Sequence, residues 1–324
     1  MTARRRIALL VAAVALVAAG VAAAAVLSAG GGSGSSASAP APKLRPGRPP
    51  LSLALGFRTD PEARALAQGA ALYRRGDTAA AAAVFARHDS LEAKVGAAFA
   101  EWPNGSLDRL EQLAKLYPDS AVVQLHLGLA RLWANEGDPV EAWRAVLDEA
   151  PDTPYALVAG NLLHPDLPRG LPAFIPSFSA PSSVTRLQPR RQLAALRAEA
   201  ERGGVRARLL YGIGLQRVGK PVSASRVFDE AAKRFPNDVE ARVASAVGHF
   251  DKDSPADAFG RLGPLTRTYP DVATVRFHLG VLLLWTGRID EAKRQFRLAS
   301  RLQPGSPLAR EADRYLETIR RARG

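Results

Sequence analysis

The sequence predicts an all-α protein: an α-solenoid of stacked antiparallel helix hairpins, preceded by an N-terminal transmembrane helix and a disordered linker. Three observations predict it. Residues 276–304, RFHLGVLLLWTGRIDEAKRQFRLASRLQP, place apolar and small residues at helical spacing in two blocks split by Thr286-Gly287, the pattern of a helix–turn–helix hairpin. Prolines recur every 34 residues, at Pro236, Pro270 and Pro304, each closing such a block. The first half of the chain also repeats the second. Gly69, Gly76 and Val84-Phe85 lie 143 residues before Gly212, Gly219 and Val227-Phe228. Glu92-Ala93-Lys94 lies 148 before Glu240-Ala241-Arg242, and Tyr117-Pro118-Asp119 with His126-Leu127-Gly128 lies 152 before Tyr269-Pro270-Asp271 with His278-Leu279-Gly280. An internal duplication giving two blocks of about three hairpins accounts for these offsets; one continuous array of like units gives the same architecture.

The elements follow in chain order. Arg4, Arg5 and Arg6 (residues 1–6, a basic tail) precede an uncharged apolar run, Ile7–Leu27. Its 21 residues make a helix of about 31 Å, enough to cross a bilayer core. Small residues at Ala23, Ala25 and Ala29 leave a cleaved signal peptide as the alternative. With the arginines held inside, the rest of the chain lies outside the cytoplasmic membrane. Residues 28–56 read as a linker, flexible where Gly and Ser dominate and stiffer where Pro does. The first block of hairpins spans 57–163 and the second 190–305. Between them, residues 164–189 carry six prolines, which forbid a regular helix. Residues 306–324 form a capping helix, with Ser306 at its N-cap and Pro307 in its first turn.

Composition sets limits on the chemistry. The chain has 324 residues, 47% apolar, and no cysteine, which removes disulfides, thiolate metal sites and cysteine nucleophiles. Its net charge of +13 is uneven: +6 over residues 1–50, −5 over 51–160 and +12 over 161–324. The basic C-terminal half is suited to an anionic envelope polymer or membrane surface; a codon bias toward Arg explains it as well.

The hairpin of residues 276–304 resembles the tetratricopeptide repeat, a 34-residue unit, with Leu279-Gly280, Leu283, Gly287, Ala292, Phe296, Ala299 and Pro304 at the family's positions. The unit ending at Pro236 matches through Tyr211-Gly212, Leu215, Gly219, Ala224, Phe228 and Ala231; the middle unit keeps mainly Ala258, Leu262 and Pro270. The resemblance implies a right-handed superhelix whose first helices line a concave groove. It assigns to that groove Val95, Phe99, Leu125 and Leu129 in the first block, and Leu209, Ile213, Val243, Val247, Phe250, Phe277, Val281 and Leu284 in the second. These apolar residues replace the Lys and Asn with which some relatives clamp a peptide carboxylate, so that use is rejected. The apolar groove has three readings: it binds an apolar or amphipathic partner peptide; the chain fills it, with Phe174, Ile175 and Phe178 as filler; or the register is off by one and these are core residues.

No catalytic constellation is expected. His88, His126, His164, His249 and His278 include no i, i+4 ligand pair, and the equivalent positions of His126 and His278 favour a packing role. The GGGSG run near residue 30 lacks the Lys of a phosphate loop. The expectation is therefore a scaffold rather than an enzyme, with no cofactor, metal, small-molecule substrate or nucleic acid. It docks protein partners outside the cytoplasmic membrane, in envelope assembly or secretion, and touches the membrane through its N-terminal helix.

Overall fold

A computed structural model describes residues 44–323. The span expected over 7–27, and the linker up to residue 43, lie outside the described residues. Among the described residues, no helix is long and apolar enough to cross a membrane, and no residue is in a β-strand. The described residues form two compact units, 44–163 and 164–323.

The first unit contains α1 (Pro61–Arg75), α2 (Thr78–Phe85), α3 (Leu91–Ala100), α4 (Ser106–Leu116), α5 (Ala121–Ala134), α6 (Pro139–Glu149) and α7 (Pro154–Leu163). Consecutive helices pair as hairpins, the first helices α1, α3 and α5 pack on one another, and α7 closes the row against α5 and α6. The second unit begins with the short α8 (Ser182–Thr185) and α9 (Pro189–Arg202). It continues through α10 (Val205–Arg217), α11 (Pro221–Arg234), α12 (Val239–Gly248), α13 (Ala256–Thr268), α14 (Ala273–Trp285), α15 (Ile289–Leu302) and α16 (Pro307–Arg323). Here α9 packs on α10; α10, α12 and α14 line up as α1, α3 and α5 do; and α16 packs on α14 and α15. Each unit is a short α-solenoid.

Local chemistry sets the helix ends. Asp60, Asp77, Ser90, Asp138 and Asp238 cap α1, α2, α3, α6 and α12, each accepting a first-turn N–H on its side-chain oxygen, and Ser306 accepts from Ala309 N at 3.0 Å to start α16. The repeated prolines end the second helices by restricting the residue before them. Tyr117, Phe235, Tyr269 and Gln303 each leave the helical region, with ψ of 64°, 67°, 62° and 71°. The hairpin turns need a left-handed residue, supplied by Gly219 and Gly287 at φ of 73° and 75°.

In four of the hairpins an aromatic ring of the second helix seats on a glycine of the first. Phe296 lies over Gly280, where an added Cβ would stand 2.9 Å from the ring. Trp143 over Gly128 and Phe228 over Gly212 are tighter, and Phe85 is wedged between Gly69 and Gly96. The rings of Phe85, Phe228 and Phe296 are completely buried. Each contributes roughly 1.5–3 kcal/mol by burial.

The boundary expected at residue 56 is corrected. Pro49 and Leu51 are buried and Leu53, Ala54 and Leu55 pack on the first unit's core, so folded structure begins before α1. The Pro-rich composition that reads as a spacer is an extended segment in contact with helices. The proline-rich stretch before α9 holds the matching segment of the second unit, Leu171–Phe178, again without helix.

Candidate functional site: two grooves, each holding an extended strap

The twelve residues assigned to the concave groove are buried. Leu209, Val243, Phe277, Val281, Val95, Phe99 and Leu125 are at most fractionally exposed, and even Ile213 reaches only 8%. Val247, Phe250, Leu284 and Leu129 are buried with them. Two causes operate. Part of the set faces neighbouring helices: Phe277 lies between α14, α15 and α16, its ring 5.7 Å from Phe296 and 5.9 Å from Tyr315. The rest shares a core with an extended strap of the same chain, Leu51 in the first unit and Phe174 in the second.

The strap of the first unit is pinned by its backbone. Ser52 N donates to His126 Nε2 at 3.1 Å, and Ala54 N donates to the Tyr155 hydroxyl at 3.1 Å. Tyr73 on α1 donates its hydroxyl to Pro49 O at 2.7 Å, and Arg45 N donates to Trp133 O at 2.8 Å. The Arg48 guanidinium lies 5.2 Å from the Tyr73 ring centre.

The second unit repeats the arrangement. Ile175 N donates to His278 Nε2 at 3.0 Å, and Ser177 N donates to Glu240 Oε1 at 2.7 Å. Phe174 N donates to Gln216 Oε1 at 3.1 Å. The Phe174 ring stacks on His278, centroids 4.9 Å apart, and meets Phe228 edge-on at 5.7 Å. Arg206 lies 5.1 Å from the ring centre of Phe178. Two of the pinning pairs match by the repeat offsets, whereas Tyr155 and Glu240 do not. His126 and His278 are 152 apart, and Tyr73 and Gln216 are 143 apart. Glu92, the counterpart of Glu240 at 148, adds its negative charge to the surroundings of Tyr155.

The histidines have one workable tautomer. Nδ1 of His126 lies 2.6 Å from Val122 O, and Nδ1 of His278 lies 2.7 Å from Thr274 O. A carbonyl only accepts, so Nδ1 carries the proton and Nε2 presents its lone pair to the strap N–H. Burial pushes both rings down to about 4, outweighing the carbonyl bond that favours the charged form. Burial likewise raises the Tyr73 and Tyr155 hydroxyls and the Glu240 carboxyl, against the Ser177 N–H bond in the last case.

Sequence reasoning assigned His126 and His278 to packing and missed their bond to a strap. It named Phe174, Ile175 and Phe178 as filler for the second groove but missed Leu51–Leu55 for the first. The available signal was a second repeat, Pro49-x-Leu51 against Pro172-x-Phe174, 123 residues apart.

Elsewhere Ser245, Asp229 and His249 come together on α11–α12. Ser245 Oγ donates to Asp229 Oδ1 at 2.6 Å, and His249 Nε2 lies 2.8 Å from Asp229 Oδ2. The carboxylate stands between hydroxyl and imidazole, so this is not a nucleophile–base pair. His164 pairs with Asp253 at 3.1 Å. Among the described residues, no three His, Asp or Glu side chains converge as a metal site.

No family model matches the chain, and no curated protein is similar enough in sequence to count as a relative. Among solved structures, a tetratricopeptide repeat protein from Parabacteroides merdae is 14% identical, with 80% of this chain and 98% of that one covered and a TM-score of 0.35. YrrB, described as a TPR protein with an unusual peptide-binding site, is also 14% identical, with 64% and 99% covered and a TM-score of 0.31.

Proposed function

We propose that this chain is a docking scaffold whose helical-repeat units hold polypeptide in extended conformation, and that it acts on protein partners from a membrane tether. One observation carries the reading: each unit already holds an extended segment, through its backbone, on a histidine that the internal repeat places equivalently. A face that satisfies backbone N–H groups with fixed side-chain acceptors recognises a peptide main chain, whatever side chains that peptide bears. The tether is the apolar run 7–27 behind Arg4–Arg6, with the Gly/Ser-rich residues after it as spacer. It places the units outside the cytoplasmic membrane and raises the local concentration of partners there.

A photo-crosslinking residue in place of Arg206, at the rim beside Phe178, tests the docking. The expected result is an adduct with another polypeptide from position 206 and none from position 320 on α16. Equal labelling from both positions overturns groove docking. Fractionation tests the tether: the full chain should stay with membranes through high-salt and alkaline washes, and lose them when residues 1–27 are removed. Release by salt alone would instead assign membrane attachment to the basic C-terminal half.

A further inference from the structure

The two straps define a recognition pattern, and from it the geometry points to a class of ligand for the second groove: an extended segment reading proline, any residue, large apolar residue, with a second apolar residue four positions after the first, which exchanges for the chain's own strap. The inference rests on the docking reading above and narrows it to one chemistry.

The pattern comes from comparing Pro49–Leu55 with Pro172–Phe178. Both prolines are buried and the residue after each is only partly so. Leu51 and Phe174 then enter the core at 7% and 1% exposure. The next residue, Ser52 or Ile175, gives its N–H to a histidine Nε2. Two residues on, Ala54 or Ser177 gives its N–H to a side-chain oxygen. Between them stands Leu53 in one strap and Pro176 in the other, so proline occupies the one intervening position whose N–H is not needed. Leu55 and Phe178 follow at the fourth position after the anchor and pack on the core from outside. Two segments of different sequence thus meet the same demands, which are those of the groove rather than of either segment.

Exchange is placed in the second unit for a structural reason. Leu171–Phe178 contributes nothing to any helix ladder, and its backbone bonds all go to side chains of α10, α12 and α14. Ile175 keeps part of its surface in solvent where its counterpart Ser52 is buried, and the first strap is held further by Tyr73 on Pro49 O and by Arg45 N on Trp133 O. A strap held in this way leaves without dismantling a hairpin, and as a tethered competitor it lowers the affinity for any outside segment.

The experiment uses the full chain carrying Phe174→Ala, which loosens the resident strap, and a fluorescent peptide copying residues 170–179. The variant should bind it saturably, at least tenfold tighter than the unaltered chain. N-methylation of the peptide at Ile175 should weaken binding tenfold or more. N-methylation at Ala173, which takes part in none of the three strap bonds, should leave it within twofold. Binding indifferent to the methyl at Ile175 overturns the pattern and leaves polypeptide docking intact; no binding by a variant that retains its helical circular dichroism overturns both. Should Phe174→Ala fail to fold, hydrogen exchange on the unaltered chain decides. An Ile175 amide that opens well before those of α14 supports exchange, and one that opens only on global unfolding overturns it.

Discussion

A single histidine ring in each unit does two jobs. With its Nδ1 proton committed to the carbonyl four residues back, His278 leaves Nε2 to accept Ile175 N–H at 3.0 Å. Replacing His278 by Phe keeps a ring to stack on Phe174 and removes the acceptor. The stranded amide should cost about 1–3 kcal/mol, measured as a fall in urea midpoint without a change in slope. An unchanged midpoint would mean that the strap N–H finds water instead. The glycines under the aromatic rings carry the opposite kind of constraint. Ala in place of Gly280 gains about 1 kcal/mol in helix propensity, but its Cβ would stand 2.9 Å from the Phe296 ring and 3.3 Å from Ala292 O. Phe296 is fully buried and cannot swing into solvent, so overpacking of about 1–3 kcal/mol should win. Thermal melts of Gly280→Ala should show net destabilisation; a more stable variant would mean that α14 and α15 can move apart freely.

At the scale of the element, the straps separate what the sequence displayed from what it concealed. Helices were legible because their signals are local: a cap, an apolar stripe, a glycine at the turn, a proline two residues past the end. The three 34-spaced prolines fall just past the C-termini of α11, α13 and α15. A strap has no such local signature. Pro49–Leu55 makes no helix or sheet bonds, so its three leucines carry no helical or strand signature; partners 24, 74 and 101 residues away, Tyr73, His126 and Tyr155, make it structure. The groove residues stayed open to several readings for the same reason, since an apolar first-helix face is equally fitted to an open groove and to one already covered. Substitution gives a direct measure of where the spacer stops. Leu51→Ala removes a buried side chain at 7% exposure and should cost about 2–5 kcal/mol, less whatever the strap recovers by shifting. Leu44→Ala, at 50% exposure, should fall within about 0.5 kcal/mol of the unaltered chain. Equal effects in chemical denaturation would return residues 49–55 to the spacer.

For the molecule as a whole, the duplicated histidine makes acid a shared weakness of both units. Each ring, ordinarily near 6.5, is held down to about 4 in the folded state by burial. Between those values the unfolded chain takes up a proton on His126 and on His278 that the folded chain refuses, so stability falls as pH drops from 6.5 toward 4. Above 6.5 both states are neutral at these rings and the dependence vanishes; below 4 both are charged and it levels off. Each histidine accounts for on the order of 3 kcal/mol across that interval. Protonation also turns Nε2 from acceptor into donor, facing the strap N–H with another N–H. Two carboxyls act the other way: burial raises Glu240 and Glu311, so each binds its proton more readily folded than unfolded and recovers some stability as pH falls. Because those terms are common to every variant, the comparison to make is between the unaltered chain and a His126→Phe, His278→Phe double variant. The double variant should be the less stable of the two at pH 7, and the gap should narrow or reverse by pH 4.5, because the variant has no imidazole to charge. A gap that stays constant from pH 7 to 4.5 in urea titrations would show that the two rings ionise alike in the folded and unfolded chain.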